Sequence, residues 1–301
     1  MSSIMRITLE EELKKNPELK LSDIQILREW CEKQPHLPKI QDVELAIFLH
    51  SSYYHIESTK KRIENYYTYR SHAPELFSNR DIRNVKQLRD AFKVTAYFKL
   101  EGKTKEEYCI FFSRMVDMDP SHFFLSDSLK ACLMSIDELF WTRESLAEYI
   151  MVIDVTGYTT GHVGRTNLVT LKKMIYYCQD ALPVRLKGVH IINSSPIFEM
   201  IFNMAKHFIN EEMINLVYVH SSLENVNKYI PIKILPNECG GKAGPIQELW
   251  KTQLQKIENF HEWFLEDEKN HRVNESLRIG NSKTSSDLFG VEGSFRQVEI
   301  D

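Results

Sequence analysis

The chain of 301 residues has few cysteines, no excess of positive charge and no long apolar run. Its five cysteines are odd in number, scattered and without a CxxC or Cys/His ligand spacing, which argues against a disulfide framework or a zinc site. Lys and Arg number 38 against 42 Asp and Glu, a formal charge of -4, so no nucleic-acid partner is expected. Because charged residues interrupt the apolar stretches, neither a signal peptide nor a membrane-spanning helix is predicted. We therefore expect a cytoplasmic protein that contacts membranes only from outside.

Motifs of catalysis and cofactor binding are also missing. The sequence contains no GxSxG, no GxxxxGK[ST], no HExxH and no GxGxxG. Asp154 ends a predicted buried strand, a position where ligands collect in α/β sheets, although accepting hydrogen bonds from the following turn is a simpler role for it. A hydrolase that uses Ser194 or Ser195 near His190 is a further alternative, but no oxyanion loop accompanies these residues. We predict a protein that is not an enzyme and has no cofactor or metal.

The apolar content is sufficient for a large core, since 43% of the residues are hydrophobic. Residues 1–95 show helical periodicity and no strand pattern, which predicts a small helical module. Over 96–273, short apolar runs alternate with amphipathic stretches of helix length, such as 125–140 and 168–178, which predicts an α/β domain with parallel strands. Ser, Gly, Asn and charged residues predict a flexible tail over 274–301. The predicted strands are 109–112, 150–155, 189–192 and 216–219.

One predicted helix, within 197–210, is apolar around most of its circumference. Only a narrow polar strip interrupts the apolar surface. A helix of this kind is either buried between layers of protein or meets an apolar partner that is not always present, such as a lipid ligand or a bilayer. Its apolar residues are Ile197, Phe198, Ile201, Phe202, Met204, Ala205, Phe208 and Ile209.

Several segments resemble the CRAL-TRIO lipid-binding family, especially the branch of alpha-tocopherol transfer protein and cellular retinaldehyde-binding protein. The strongest resemblance is LPVRLKGVHIIN at 182–193, continuing through the apolar helix to LPNECGG at 235–241. The resemblance covers about residues 21–264. Further matching positions are IDVTG at 153–157, His162, NYY at 65–67, Arg70, Pro74 and GSFR at 293–296, the last similar to arthropod members.

The resemblance implies a fold and a moving part. The expected fold is a helical module followed by an α/β CRAL-TRIO domain, in which a mixed, mainly parallel sheet encloses an apolar cavity under a gate helix. The gate would run from about Pro196 to Ile209, with Phe198 and Phe202 on it, and dip into lipid headgroups when open. Where the family usually has Lys-Pro-Phe, this chain has Lys206-His207-Phe208, so the helix is expected to run on.

Positions that match the family imply an apolar cavity lining. For any single residue, packing in a solid core is an equal alternative. Polar lining is sparse, with Cys132, Ser135, Thr166 and Tyr177 as the groups that would hold a ligand hydroxyl or carbonyl. The implied ligand-binding residues are Leu129, Cys132, Leu133, Ile136, Ile153, Val155, Thr166, Met174, Tyr177, Leu182, Val184, Val189, Ile191, Ile201, Met204, Ala205 and Ile209.

The resemblance also implies contact with membranes. Arg185, Lys187 and Lys206 would meet phosphoinositide headgroups, but Glu212 and Leu216 stand where two further basic residues are expected. The implied function is that of a monomeric intracellular carrier, which binds a small hydrophobic ligand of the tocopherol, retinoid or carotenoid class and moves it between membranes. The alternative is a phosphoinositide- or phospholipid-binding module, or a membrane-docking one, without a dedicated carried ligand.

Overall fold

The computed structural model describes residues 8–141 and 146–290. Its first part is helical, as predicted, and the described residues before Thr95 form no strand. Local signals set several of these helices: a capping box of Gln41 and Glu44 starts one, and Pro74 occupies the first turn of another, where its missing N–H is not needed. The helices are α1 (Leu9–Lys15), α2 (Leu21–Glu32), α3 (Asp42–Ser51), α4 (Ile56–His72), α5 (Pro74–Phe77) and α6 (Lys86–Val94).

A five-stranded sheet follows, with its strands in chain order. The first two strands are antiparallel and every other pairing is parallel, which confirms the predicted mixed, mainly parallel sheet. The edge strand β1 was not predicted, because Lys99, Glu101 and Lys103 interrupt its apolar run. The strands are β1 (Thr95–Lys103), β2 (Cys109–Met115), β3 (Glu148–Asp154), β4 (Arg185–Ile192) and β5 (Val217–Val219).

Helices pack around this sheet. The Tyr97 hydroxyl of β1 lies 2.8 Å from the Ser128 hydroxyl, which fixes the first turn of helix α7 (Leu125–Phe140) over one face of the sheet. Among the described residues, no helix combines the length and apolar character that crossing a membrane requires. The remaining helices are α7 (Leu125–Phe140), α8 (Thr160–Val163), α9 (Leu168–Asp180), α10 (Pro196–Ala205), α11 (Glu211–Ile214), α12 (Leu223–Asn227), α13 (Ile246–Asn259), α14 (His261–Asn270) and α15 (Ser285–Phe289).

The strand register assigns residues to the two faces of the sheet. Tyr97, Ser113, Ile153 and Ile191 form one row across β1 to β4, and we call the face that carries them the α7 face. Residues one position away in each strand, such as Val152, lie on the opposite face, because successive side chains of a strand alternate. The two faces differ in how completely other side chains cover them.

A buried ion-pair network joins the helical module to the sheet domain. Arg70 of α4 donates to both carboxylate oxygens of Asp137 on α7, at 3.0 and 2.8 Å, and to Asp267 on α14 at 2.9 Å. Arg80 also binds both aspartates, at 2.9 Å to Asp137. All four side chains are at most 3% exposed. The network therefore holds three distant segments together, because each buried charge would be strongly destabilising without its partners.

Residues 274–290, expected to be flexible, are packed against the helical module instead. Arg278 forms ion pairs with Glu275 and with Glu64 of α4. Phe289 of α15 is 1% exposed, and its ring centroid lies 5.2 Å from that of Tyr69. The polar composition of the segment did not reveal these contacts, because their partners lie on α4. Residues 291–301, including the GSFR motif, lie outside the described residues.

Candidate functional site

The α7 face of the sheet is incompletely packed at its centre. Met151 and Ile153 of β3 and Val189 of β4 are partly exposed, although both strands have neighbours on each side. On the opposite face, Ile150 and Val152 are 3% and 0% exposed. Central strands with parallel neighbours are normally buried on both faces. Accessible apolar surface here therefore marks a part of the sheet that protein atoms do not cover.

The predicted gate helix, α10, is largely unburied. α10 packs against α8 and α9, and of its residues only Ala205 is buried. The rings of Phe198 and Phe202 stack with centroids 5.8 Å apart, and Met200 is 47% exposed. Within the described part of the chain, the main hydrophobic core includes no side chain of α10. The helix is thus apolar without belonging to the core.

The carboxyl end of α10 differs from the prediction that the helix runs on. The helix ends at Ala205, although no proline follows it. Gln179 of α9 explains the break: its side-chain amide donates to the Phe208 carbonyl at 3.2 Å, and its oxygen accepts the Asn210 N–H at 3.0 Å. The Asn210 side chain in turn caps α11 by accepting the Met213 N–H at 2.8 Å. Tertiary hydrogen bonds replace the helical ones, and the expectation of a longer helix is wrong.

The amino end of α10 is held by Asp154. This fully buried carboxylate accepts hydrogen bonds from the Asn193 side chain at 2.9 Å, the Thr156 N–H at 3.0 Å, Arg114 at 2.8 Å and the Cys239 thiol at 3.2 Å. Burial alone would raise the pKa of Asp154, but the hydrogen bonds from Thr156 and Asn193 outweigh it and lower the pKa. Asp154 therefore has the simpler role foreseen for it, an ionised hydrogen-bond acceptor.

The predicted lining residues differ in burial, and their role as a lining stays a prediction. Eight are buried and nine keep accessible surface. The buried ones are Cys132, Leu133, Ile136, Val155, Tyr177, Leu182, Ile191 and Ala205. The partly exposed ones are Leu129, Ile153, Thr166, Met174, Val184, Val189, Ile201, Met204 and Ile209.

Three of the four predicted polar lining groups are already hydrogen-bonded within the protein. The Ser135 hydroxyl donates to a main-chain carbonyl four residues earlier at 2.9 Å, and Thr166 does the same at 3.1 Å. The Tyr177 hydroxyl accepts from Arg70 at 3.2 Å. Burial raises the pKa of the Cys132 thiol, which keeps it protonated and unreactive at neutral pH. Tyr177 in particular is turned towards the ion-pair network.

The predicted membrane contacts fall into two different environments. Lys187 and Arg185 both face Glu148, with nitrogen–oxygen distances of 3.0 and 3.7 Å. Arg185 also lies over the Tyr53 ring, 4.3 Å from its centroid. Lys206, by contrast, is exposed at the end of α10. One carboxylate between two cations reduces the positive potential that an anionic headgroup would meet, and phosphoinositide contact stays a prediction.

Sequence reasoning missed two kinds of residue. Gln179 follows the apolar stripe of α9 with nothing to distinguish it from a solvent-exposed glutamine. Ser113 did offer a signal, because it is a polar residue at the end of the apolar run CIFF in β2. The hydroxyl of Tyr158, after β3, makes no hydrogen bond within the described residues.

In the described chain, no group of three or more His, Cys, Asp or Glu residues is placed to hold a metal ion.

Two family models match the chain in succession. Residues 16–87 match the Pinta-like UBA domain, and residues 94–241 match the CRAL/TRIO domain, which contains the sheet, α7, α9 and α10. The chain belongs to the CRAL/TRIO family. The general activity of this family is the binding and transfer of lipids, and the fold class predicted from the sequence is confirmed.

Named relatives extend the match of this CRAL/TRIO protein beyond the domain itself. The mouse protein named alpha-tocopherol transfer protein-like is 29% identical over 249 residues, covering 81% of this chain and 72% of the relative. Human clavesin-2 is 24% identical over 241 residues, covering 78% and 72%. Among solved structures, Sfh5 aligns with a TM-score of 0.48 at 14% identity, covering 85% of this chain and 98% of that one.

Proposed function

We propose that this CRAL/TRIO protein carries a small hydrophobic molecule of the tocopherol, retinoid or carotenoid class between membranes. The ligand occupies the space between the α7 face and α10. One observation carries the proposal: Met151, Ile153 and Val189 keep accessible surface at the centre of the sheet. An apolar wall that the protein leaves uncovered is suited to an apolar guest. The name of the mouse relative supports a tocopherol-like ligand.

The energies involved suit reversible carriage. Burying on the order of 400 Å² of apolar ligand surface contributes about 10 kcal/mol at 25 cal/mol per Å². Association costs about 4 to 15 kcal/mol in lost freedom. Apolar contact alone therefore gives weak to moderate affinity, which lets the ligand leave at a membrane, and a few hydrogen bonds have to provide selectivity.

In this proposal α10 is the gate. Its two ends are tied, by Asn193 to Asp154 and by Gln179 to the backbone of residues 208–210, while its middle is outside the core. Moving the middle of the helix breaks no core packing. Met200 and the stacked Phe198 and Phe202 then meet lipid. We further propose that the protein works in the cytoplasm as a monomer, without catalysis, and touches membranes transiently.

Two experiments test this function directly. Organic extraction of the purified full-length protein, followed by mass spectrometry, should release a hydrophobic molecule in near-stoichiometric amount. Phe202→Asp should then slow transfer of that molecule between vesicles by about tenfold or more, because a charge on the lipid-facing side of the helix opposes insertion. Asn203→Asp, on an exposed position of the same helix, is the control and should transfer normally. An empty protein that also binds no tocopherol, retinol or carotene would refute the proposal.

Breaking the Gln179 contacts should have the opposite effect. Gln179→Leu removes two hydrogen bonds that close the gate, together worth about 1–3 kcal/mol, and should raise the transfer rate several-fold. Vesicle transfer measured by fluorescence tests this. Gln25→Leu, on the exposed side of α2, is the matched control. A Gln179→Leu protein with unchanged or slower transfer would show that these bonds do not hold the gate.

A further inference from the structure

Two hydroxyl groups on the inner side of the sheet domain have no partner. Among the described residues, the Ser113 and Tyr158 hydroxyls make no hydrogen bond. Some polar atoms of the described chain are both unpaired and fully enclosed, His162 Nε2 among them, but the Ser113 and Tyr158 oxygens are not. Each of these two oxygens therefore borders accessible space. Buried polar groups are normally satisfied, by protein or by water. Each of these two is a polar group that faces an opening.

The two groups belong to one region of the α7 face. Ser113 pairs with Tyr97 across β1 and β2 and with Ile153 across β2 and β3. The Tyr158 ring lies 5.6 Å from the ring of His162. Tyr158 packs against the cluster of Val94, Met115 and Phe123, and Met115 lies two residues beyond Ser113 on the same face of β2. Ser113 thus lies beside the partly exposed Ile153, and Tyr158 lies next to Met115 further along the same face.

The two hydroxyl groups themselves are polar but uncharged. Burial raises the pKa of Tyr158 to about 12, so its hydroxyl keeps its proton at neutral pH and can donate it. Burial also lowers the pKa of His162, which favours the neutral ring. Arg185 and Lys187 lie at the other end of β4, six and four residues from Ile191 and so roughly 20 and 13 Å away along the strand. A phosphate would require cations close by, whereas an uncharged oxygen needs only these hydroxyls.

We propose that the Ser113 and Tyr158 hydroxyls form a polar anchor for the single hydroxyl or carbonyl oxygen at the end of an otherwise apolar ligand. The inference rests on the proposed carrier function and specifies its ligand: the oxygen binds at Ser113 and Tyr158, and the hydrocarbon extends along Ile153 and Val189 towards α10. A phospholipid headgroup does not fit this anchor, and a pure hydrocarbon leaves it unsatisfied.

A pair of ligands that differ only in the terminal oxygen tests the anchor. Geranylgeraniol and the corresponding hydrocarbon, which lacks the hydroxyl, compete against a fluorescent apolar probe on the full-length protein. The wild type should bind the alcohol about tenfold more tightly. Tyr158→Phe and Ser113→Ala should each reduce that preference about three- to tenfold and leave binding of the hydrocarbon unchanged. Tyr176→Phe, whose ring packs on Phe289 of α15, is the matched control and should keep the preference.

The outcomes separate the anchor from the function on which it rests. Equal binding of both ligands by all variants would overturn the anchor and leave the carrier function standing. Failure of the wild type to bind either ligand, or any tocopherol, retinol or carotene, would overturn both. Stronger competition by phosphatidylinositol phosphate in vesicles than by the alcohol would overturn the uncharged ligand class. Each variant should unfold at the same temperature as the wild type, which shows that a lost preference for the alcohol does not come from lost folding.

Discussion

Replacing Arg70 by leucine should lower the free energy of unfolding by about 3–5 kcal/mol, a large fraction of the total stability of a typical protein. The substitution leaves the carboxylates of Asp137 and Asp267, each at most 3% exposed, with fewer partners in a buried site. It also removes the hydrogen bond to Tyr177. Urea unfolding followed by tryptophan fluorescence measures the change.

Arg83→Leu is the matched control, because it removes the same charge from the same part of the chain. Arg83 pairs with Glu262 at 3.4 Å, and both side chains are more than half exposed. Water screens that pair, so the expected loss is under about 1 kcal/mol. Similar small losses in both variants would mean that the buried network does not hold the helical module to α7 and α14.

Replacing Ile153 by tryptophan should weaken ligand binding by about 100-fold or more while changing the free energy of unfolding by less than about 1 kcal/mol. The larger ring enters the open space on the α7 face, where the ligand would lie. In a filled core, the same enlargement would force neighbours apart and cost about 1–3 kcal/mol or more. Ligand titration and urea unfolding of one protein preparation give both quantities.

The neighbouring residue supplies the control. Val152 is 0% exposed and faces the opposite, fully packed side of the same strand. Val152→Trp should therefore destabilise the protein by well over 1 kcal/mol. If Ile153→Trp destabilises the protein as much as Val152→Trp does, the α7 face is as solid as its opposite and the proposed carrier function loses its main support.

Local patterns of apolar residues were sufficient to predict much of the fold. Strands β2 to β5 were visible as continuous apolar runs, and α7 and α9 as amphipathic stripes, because burial imposes a period on the sequence. β1 was not visible, since Lys99, Glu101 and Lys103 lie at a sheet edge where charged side chains reach water. The end of α10 was also not visible, because Gln179, on another helix, sets it.

The candidate site, too, could be predicted only in part from the sequence. Family resemblance placed apolar lining residues around the sheet, yet a buried leucine looks the same in a sequence whether it faces a ligand or a neighbour. Tyr177 seemed suited to hold a ligand oxygen, but its hydroxyl binds Arg70, 107 positions away in the chain. Ser113 and Tyr158, which were not selected, have hydroxyls that make no hydrogen bond to the described residues.

The sequence by itself determined which segments are apolar, which are helical or extended, and that the chain resembles the CRAL-TRIO family. Only the tertiary structure decided which polar groups are satisfied, where α10 ends and which face of the sheet stays uncovered. The physical reason is that periodicity records whether a side chain is buried, which is a local property. Hydrogen bonds and packing depend on partners that the fold brings together from distant positions.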